Sequence, residues 1–276
     1  MNCMTLPLII SPAEFAAHLE QNQDNQNIRI VDLSEEHSYL QGHIPGAIHL
    51  PYQSLVNGRA PTPGKLPELE QLRNMFQYLG HQEDTQFVVC DNEGGGWAGR
   101  FIWTLDVIGH KNYTYIDGGM IAWKAEGLPQ THGRSDNPFR ADSCPDFTID
   151  PSVIADLNFL LNGLKRNEFV IWDARTPEEF HGTKVVAAKA GHIPGAKNVE
   201  WTILMDPARH YKLRPDAREY LQQSGIDGTL PIVTHCHTHH RSGFTYLVGK
   251  ALGYDIKAYD GSWSEWGNHP DTPVEK

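Results

Sequence analysis

Gly42-His43-Ile44-Pro45-Gly46-Ala47 recurs in the second half of the chain as Gly191-His192-Ile193-Pro194-Gly195-Ala196. An internal repeat of this kind outranks any single motif, because it means that one structural unit is used twice. The landmarks around the hexamers fall in the same order in both halves. An apolar run ending in aspartate precedes each, Ile28-Arg29-Ile30-Val31-Asp32 in one and Phe169-Val170-Ile171-Trp172-Asp173 in the other. Tyr115-Ile116-Asp117-Gly118-Gly119 with Trp123 is answered by Ala258-Tyr259-Asp260-Gly261-Ser262 with Trp266. The openings match as well. Leu8-Ile9-Ile10-Ser11-Pro12-Ala13-Glu14 and Phe147-Thr148-Ile149-Asp150-Pro151 each read as a short strand, an N-cap and a proline at the first helical position. Ser11 with Glu14 also has the capping-box spacing.

The 276 residues therefore divide into a first copy over 1–129, a polar, proline-containing linker over 130–146, and a second copy over 147–276. Each copy is long enough to bury its own core. Short apolar runs such as Gln86 to Cys90 and Leu230 to His235 alternate with helical stretches, the pattern of parallel strands joined by crossover helices, so the fold class is α/β. The clearest helix follows His240: Phe244, Leu247, Val248, Ala251 and Leu252 fall on one face and Gly253 supplies the C-cap. Its counterpart in the first copy runs from about Ala98 to Gly109.

Mean hydropathy is −0.46 and no apolar run is long enough to cross a bilayer; the first ten residues read as a strand rather than a secretory signal. Four cysteines, Cys3, Cys90, Cys144 and Cys236, do not make a disulfide framework in a chain of this length. The expectation is a cytoplasmic protein that uses a thiol. A net charge of −11 argues against nucleic-acid or anionic-membrane partners, since neutralising phosphates takes a basic face. An anionic substrate then needs a local positive field. Of fifteen histidines, His235, His237, His239 and His240 crowd into six residues.

That crowd surrounds Cys236, in His235-Cys236-His237-Thr238-His239-His240-Arg241-Ser242-Gly243. The segment leaves a buried strand and enters a helix, so it lies at the carboxyl edge of the sheet. There, backbone N–H groups and the helix dipole favour anions and depress a thiol pKa. Arg241 adds a planar set of donors, and Thr238 and Ser242 add hydroxyls. Cys236 is the candidate nucleophile. The competing readings are a buried small hydrophobe and a metal site built from the four histidines with Cys236. A tight turn cannot aim most of those side chains at one point, and no second Cys/His group at metal spacing follows. For Cys3, Cys90 and Cys144 the buried or inert reading stands.

The repeated Gly-His-Ile-Pro-Gly-Ala block, the cysteine loop and the Asp260-Gly261-Ser262 turn with Trp266 resemble the tandem-domain rhodaneses over nearly the whole chain. The resemblance implies two domains, each a mainly parallel central sheet flanked by helices. It implies catalysis in the second domain alone and a loop cysteine that cycles through a persulfide. The loop is similar to a bacterial Cys-Gln-Thr-His-His-Arg variant with His237 in place of glutamine. His237, Thr238, His239, His240, Arg241, Ser242 and Arg175 are the candidate substrate-binding residues. In Asp173-Ala174-Arg175-Thr176-Pro177-Glu178-Glu179, Arg175 is retained, but Glu179 stands where the animal thiosulfate and the mercaptopyruvate enzymes resemble each other in having a substrate-facing arginine. Anion binding is then expected to rest on the loop amides and Arg241.

Aligning Phe87-Val88-Val89-Cys90-Asp91 with Ile232-Val233-Thr234-His235-Cys236 places Asp91 at the nucleophile position of the first copy, where a carboxylate repels anions. Asn92-Glu93-Gly94-Gly95-Gly96-Trp97 lacks a loop-closing arginine, so the first copy reads as inactive, and Arg100 as a surface or interdomain group. His43 and His192, present in both copies, read as structural; Asp32 and Asp173 read as loop-orienting groups. Trp201 is assigned to a domain interface or the cleft. The expected reaction moves sulfane sulfur from thiosulfate to cyanide or another thiophile, with no metal or organic cofactor. Three alternatives remain: a 3-mercaptopyruvate sulfurtransferase, a phosphatase or arsenate reductase of the same fold, and a noncatalytic sulfur-carrying module. Phosphatase loops are one residue longer than the four enclosed by Cys236 and Arg241.

Overall fold

The computed structural model describes residues 6–22 and 27–276. Cys3 lies outside the described residues. In the first repeat the elements are β1 (Ile9–Ile10), α1 (Pro12–Gln21), β2 (Ile28–Asp32), α2 (Glu36–Gln41), β3 (Ile48–His49), α3 (Leu69–Tyr78), β4 (Gln86–Cys90), α4 (Gly96–Val107), β5 (Tyr113–Ile116) and α5 (Gly119–Ala125). The strands form one parallel sheet in the order β1-β5-β4-β2-β3. β2 is buried along its whole length, as befits a strand covered on both faces by crossover helices. Ser11 caps α1, with both halves of its capping box formed to Glu14.

The second repeat contains α6 (Leu157–Leu164), β6 (Val170–Asp173), α7 (Pro177–Phe180), β7 (Lys197–Asn198), β8 (Met205–Asp206), β9 (Lys212–Leu213), α8 (Ala217–Gln223), β10 (Ile232–His235), α9 (Arg241–Ala251), β11 (Ile256–Ala258) and α10 (Ser262–Trp266). Its parallel sheet runs β11-β10-β6-β7, the order of the first sheet without the edge strand. The expected strand at 147–149 does not form. Phe147 instead packs edge-on against Phe76, 5.7 Å between ring centroids, and a single parallel bridge from Ile154 to Ala258 takes the edge position. The expected cap and proline do form, as a single 3-10 turn over Pro151–Val153 in which Asp150 accepts the Ser152 N–H at 2.8 Å, and the α-helix follows at Leu157, with Asp156 accepting the N–H of Phe159 as its cap.

Two compact units result, and neither is one continuous half of the chain. Among the described residues the first comprises 6–22, 27–55, 67–149 and 205–213; the second comprises 56–66, 150–204 and 214–276. Residues 130–146, expected as a linker, are bound within the first unit: Arg134 pairs with Glu36 at 2.5 Å, Ser135 donates to His43 Nε2 at 2.8 Å, and Arg29 lies 3.8 Å over the Phe139 ring. The antiparallel pair β8–β9 belongs to that unit too, where the Leu213 N–H donates to Asp117 Oδ1 at 2.8 Å. Each unit has its own apolar core, with Phe15, Tyr39, Val88 and Trp123 in the first and Leu160, Val233, Trp263 and Trp266 in the second.

Candidate active site

After β6 the chain turns to β7 on one side, and it later returns as β10 on the other side of β6. Such a reversal opens a crevice beyond the carboxyl ends of the two central strands. Asp173 and His235 are register partners there, so the turn carrying Arg175 and the loop carrying Cys236 lie side by side.

The loop holds Cys236 by its backbone and its sulfur. Its carbonyl accepts the N–H of Trp263 at 3.0 Å and His235 Nδ1–H at 3.1 Å; its own N–H donates to Ser262 Oγ at 3.3 Å. Residue exposure is 1%, so burial pushes the thiol pKa up. That effect is overcome by the Arg241 guanidinium, by hydrogen bonds from the Ser242 side chain and backbone, and by His240, leaving the thiol below its ordinary value. Cys90 shows the opposite result: burial, Asp32 and Asp91 all raise its pKa, to well above the usual range. Cys144 is also raised, chiefly by burial. Among the three described cysteines, Cys236 alone is activated.

Arg241 opens α9, but it does not stand as an uncommitted cation. Its Nη1 donates to Glu179 Oε2 at 2.6 Å and its Nη2 to Glu179 Oε1 at 3.0 Å, a two-pronged pair whose side chains are 19% and 4% exposed. Burial opposes ionisation of Glu179, yet Arg241 brings that carboxyl down to about 2. Glu179 also caps α7 through Thr176, so one carboxylate anchors the guanidinium to the neighbouring turn. The cation on which anion binding was expected to rest thus carries a carboxylate partner of its own.

The remaining candidates divide into two groups. His237, Thr238 and His240 are partly exposed with Arg241, while Arg175, His239 and Ser242 are fully buried. Arg175 donates to both oxygens of Asp173 and to the Gly191 carbonyl, with its guanidinium 4.2 Å from the Trp263 ring. These contacts tie Arg175 into the turn beside the cysteine loop and leave its Nη1 without a hydrogen-bond partner. Asp173 orients the turn as expected, accepting the Arg175 N–H at 3.0 Å, and Asp32 accepts the Ser34 N–H at 2.8 Å in the first unit. The two repeat histidines are structural. His43 Nδ1–H donates to the Tyr39 carbonyl and His192 Nδ1–H to the Phe180 carbonyl, both at 2.9 Å, each ring stacked on the same aromatic residue. Trp201 packs on His240 and Phe244 within the second unit. Among the described residues no group of three or more His, Cys, Asp or Glu could hold a metal ion, and no helix is long and apolar enough to cross a membrane.

In the first unit the equivalent cradle is filled by its own side chain. Asp91 Oδ1 accepts the N–H groups of Glu93, Gly94 and Gly95 at 3.1, 3.1 and 2.9 Å, and Oδ2 accepts that of Ala98 at 3.0 Å. The loop thus still binds an anion, and the carboxylate occupies the place where repulsion alone was expected. Arg100 is buried rather than at the surface, donating to the Leu55 carbonyl at 2.8 Å with its guanidinium 4.5 Å from the Trp103 ring.

Two supports escaped the sequence reading. Ser262, noted only as a repeat landmark, has a left-handed backbone (φ +52°) where the first copy has Gly119 (φ +54°), and it uses that strained placement to hold the Cys236 amide. The other is the arm 56–66. A Cβ on Gly64 would lie 2.1 Å from the Thr238 carbonyl oxygen, while Leu66 N–H donates to Asp260 Oδ2 at 2.9 Å and Lys65 pairs with Glu265 at 2.6 Å. No motif signals it, because its partners lie in the other repeat.

The fold and site define a duplicated α/β protein in which the strand-to-helix loop of one copy carries a thiol of lowered pKa and that of the other a carboxylate held by four amides. A rhodanese-like domain model matches residues 12–126 and 156–269, and the chain belongs to that family in its tandem form. It is 48% identical over 272 residues to a thiosulfate sulfurtransferase of Azotobacter vinelandii, covering 98% of each chain. It is 49% identical over 271 residues to a thiosulfate sulfurtransferase of Pseudomonas aeruginosa, covering 98% of this chain and 97% of that one. The Tum1 protein of Saccharomyces cerevisiae has the same fold, with a TM-score of 0.84 at 22% identity over 98% of this chain and 99% of that one.

Proposed function

We propose that the chain is a thiosulfate sulfurtransferase whose second repeat carries the chemistry and whose first is noncatalytic. The observation that carries the reading is Cys236 itself: almost wholly buried, yet with its thiol pKa lowered by Arg241, Ser242 and His240 at the start of α9. The Cys236 thiolate attacks the outer sulfur of thiosulfate, the S–S bond breaks, and sulfite leaves with the bonding pair. Loop amides and the partly exposed His237, Thr238, His240 and Arg241 face the departing charge. A thiophile then attacks the outer sulfur of the Cys236 persulfide and returns Cys236 to the thiolate; cyanide would leave as thiocyanate, and a thiol as its persulfide. No metal or organic cofactor takes part, and a working free thiol suits a reducing cytoplasm.

Thiosulfate without acceptor should add one sulfur atom to the peptide containing Cys236, and cyanide should remove it, as read by peptide mass spectrometry. Cys236→Ser should lose the added mass and the turnover, while Cys90→Ser keeps both. Sulfur found on Cys90, or activity surviving in Cys236→Ser, would overturn the assignment.

A further inference from the structure

His239 is placed in a way that donor binding does not explain. It sits on the rim of the loop in sequence, yet it is fully buried and its backbone is left-handed, with φ +54°. Side-chain-bearing residues avoid that region, although histidine enters it more readily than most. The equivalent position of the first repeat is Gly94, with φ +97°, where the same turn is made at no steric cost. The active copy therefore puts an imidazole where a glycine would serve the backbone better. His239 Nδ1 lies 2.7 Å from Ser242 Oγ, and Ser242 in turn hydrogen-bonds the Cys236 sulfur through its hydroxyl and its amide. In the first repeat all three positions change together, to Gly94, Trp97 and Asp91.

A serine hydroxyl has one hydrogen. A thiolate can only accept, so with Cys236 ionised the hydroxyl hydrogen points to sulfur. The Ser242 oxygen then accepts from His239 Nδ1–H, which selects the Nδ1-protonated tautomer. We propose that His239 is a positioning residue for the nucleophile, holding Ser242 as a hydrogen-bond donor to Cys236 through a His239–Ser242–Cys236 relay. The proposal rests on the Cys236 assignment and deepens it. The relay acts twice in each cycle, when Cys236 attacks as a thiolate and when its sulfur becomes the leaving thiolate as the thiophile takes the outer sulfur. Chained hydrogen bonds polarise one another, so the second donor strengthens the first. Arg241 and His240 act on the sulfur from the loop and α9, and the charged and titratable groups around them are His235 from β10, His237 from the loop, Asp173 and Arg175 from β6 and its turn, and Glu179 from α7. All are unchanged in the variants below.

The test uses the full chain and follows iodoacetamide alkylation of the Cys236 peptide against pH by mass spectrometry. His239→Gly relieves the backbone and removes the donor; His239→Asn tolerates the left-handed backbone and keeps a side-chain N–H near the Nδ1 position. Alkylation of His239→Gly at a fixed pH below the thiol midpoint should be about tenfold slower, the effect of one hydrogen bond to a charged group. His239→Asn should recover to within about twofold of the parent. In His239→Gly, kcat should fall while KM for thiosulfate stays nearly constant, because the imidazole is out of the donor's reach. Ser242→Ala leaves the His239 backbone alone and should shift the profile in the same direction, with no further shift in Ser242→Ala/His239→Gly. A parental profile in folded His239→Gly would overturn the proposal, and so would a double variant whose effects simply add. If His239→Gly does not fold, a parental profile in Ser242→Ala overturns it. A failed Cys236 assignment is seen separately, as sulfur from thiosulfate on another cysteine of the parent protein.

Discussion

Arg241 and Glu179 act as one unit at the residue scale. The guanidinium lowers the Cys236 pKa, and the carboxylate that holds it is 4% exposed. Arg241→Ala would therefore do more than weaken donor use. It strands a buried carboxylate, which costs about 3 kcal/mol or more when a buried pair is broken from one side. We expect Arg241→Ala to lower Tm clearly, and Arg241→Ala/Glu179→Gln to regain most of that loss in a calorimeter while thiosulfate turnover stays low in both. Equal Tm values for the parent and Arg241→Ala would show that the pair contributes nothing to folding. Neither partner's role is legible alone: Glu179 scans as the N3 residue of a capping box, which it is, and Arg241 as a cation in search of an anion.

At the scale of elements, the strand-to-helix loop is the unit that the two repeats share and treat differently. β4 leads into α4 through Asp91, and β10 leads into α9 through Cys236. Four amides converge on the Asp91 carboxylate, so Asp91→Ala should destabilise the protein by about 2 kcal/mol, the upper range for losing a helix cap. Sulfate or phosphate should restore part of that stability in the variant and little in the parent, since the emptied amides can accept an external anion. Equal anion dependence of Tm in the two proteins would mean that the loop collapses without its carboxylate. β2 and β4 match their apolar runs residue for residue, because a buried parallel strand has no polar face to blur its ends. The run 147–149 misled for the same reason: apolar β-branched and aromatic residues can satisfy burial by ring packing, as Phe147 does on Phe76, without joining a sheet.

At the scale of the whole molecule, the first unit carries a pH liability away from the chemistry. His81 Nε2 and His110 Nδ1 lie 3.1 Å apart in a buried aromatic setting with Phe76 and Phe87. Burial and the neighbouring His110 lower the His81 pKa from 6.5 to about 4, and burial lowers that of His110 as well. Below 6.5 the unfolded chain binds these protons more readily than the folded one, so stability is full above that pH and is lost as pH falls toward 4. The His81 share is about 3 kcal/mol once pH is below both values. Glu179, with a folded pKa of about 2 against 4.5, acts in a lower window, losing its contribution only as pH falls below 4.5. His81→Phe should flatten the decline of Tm between pH 6.5 and 4.5 and leave the steeper fall below it. An unchanged slope in that upper window would remove the histidine pair as its cause.

The sequence by itself determined the duplication, the α/β class, the strand-to-helix loop and the identity of its thiol, because repeats, hydrophobic period and loop chemistry are local or self-similar signals. It also set the two loops apart, since a cysteine with an arginine five residues on contrasts with Asp91 and three glycines. Only the tertiary structure decided how Arg241 is neutralised, why His239 and Arg175 turn inward, and which segments complete each unit. Glu179 and Arg241 are 62 positions apart, Ser262 and Cys236 are 26 apart, and Leu66 and Asp260 are 194 apart. No pattern along the chain couples such positions. They meet because the order of the sheet brings the ends of β6 and β10 together and lets the arm 56–66 close on the loop between them.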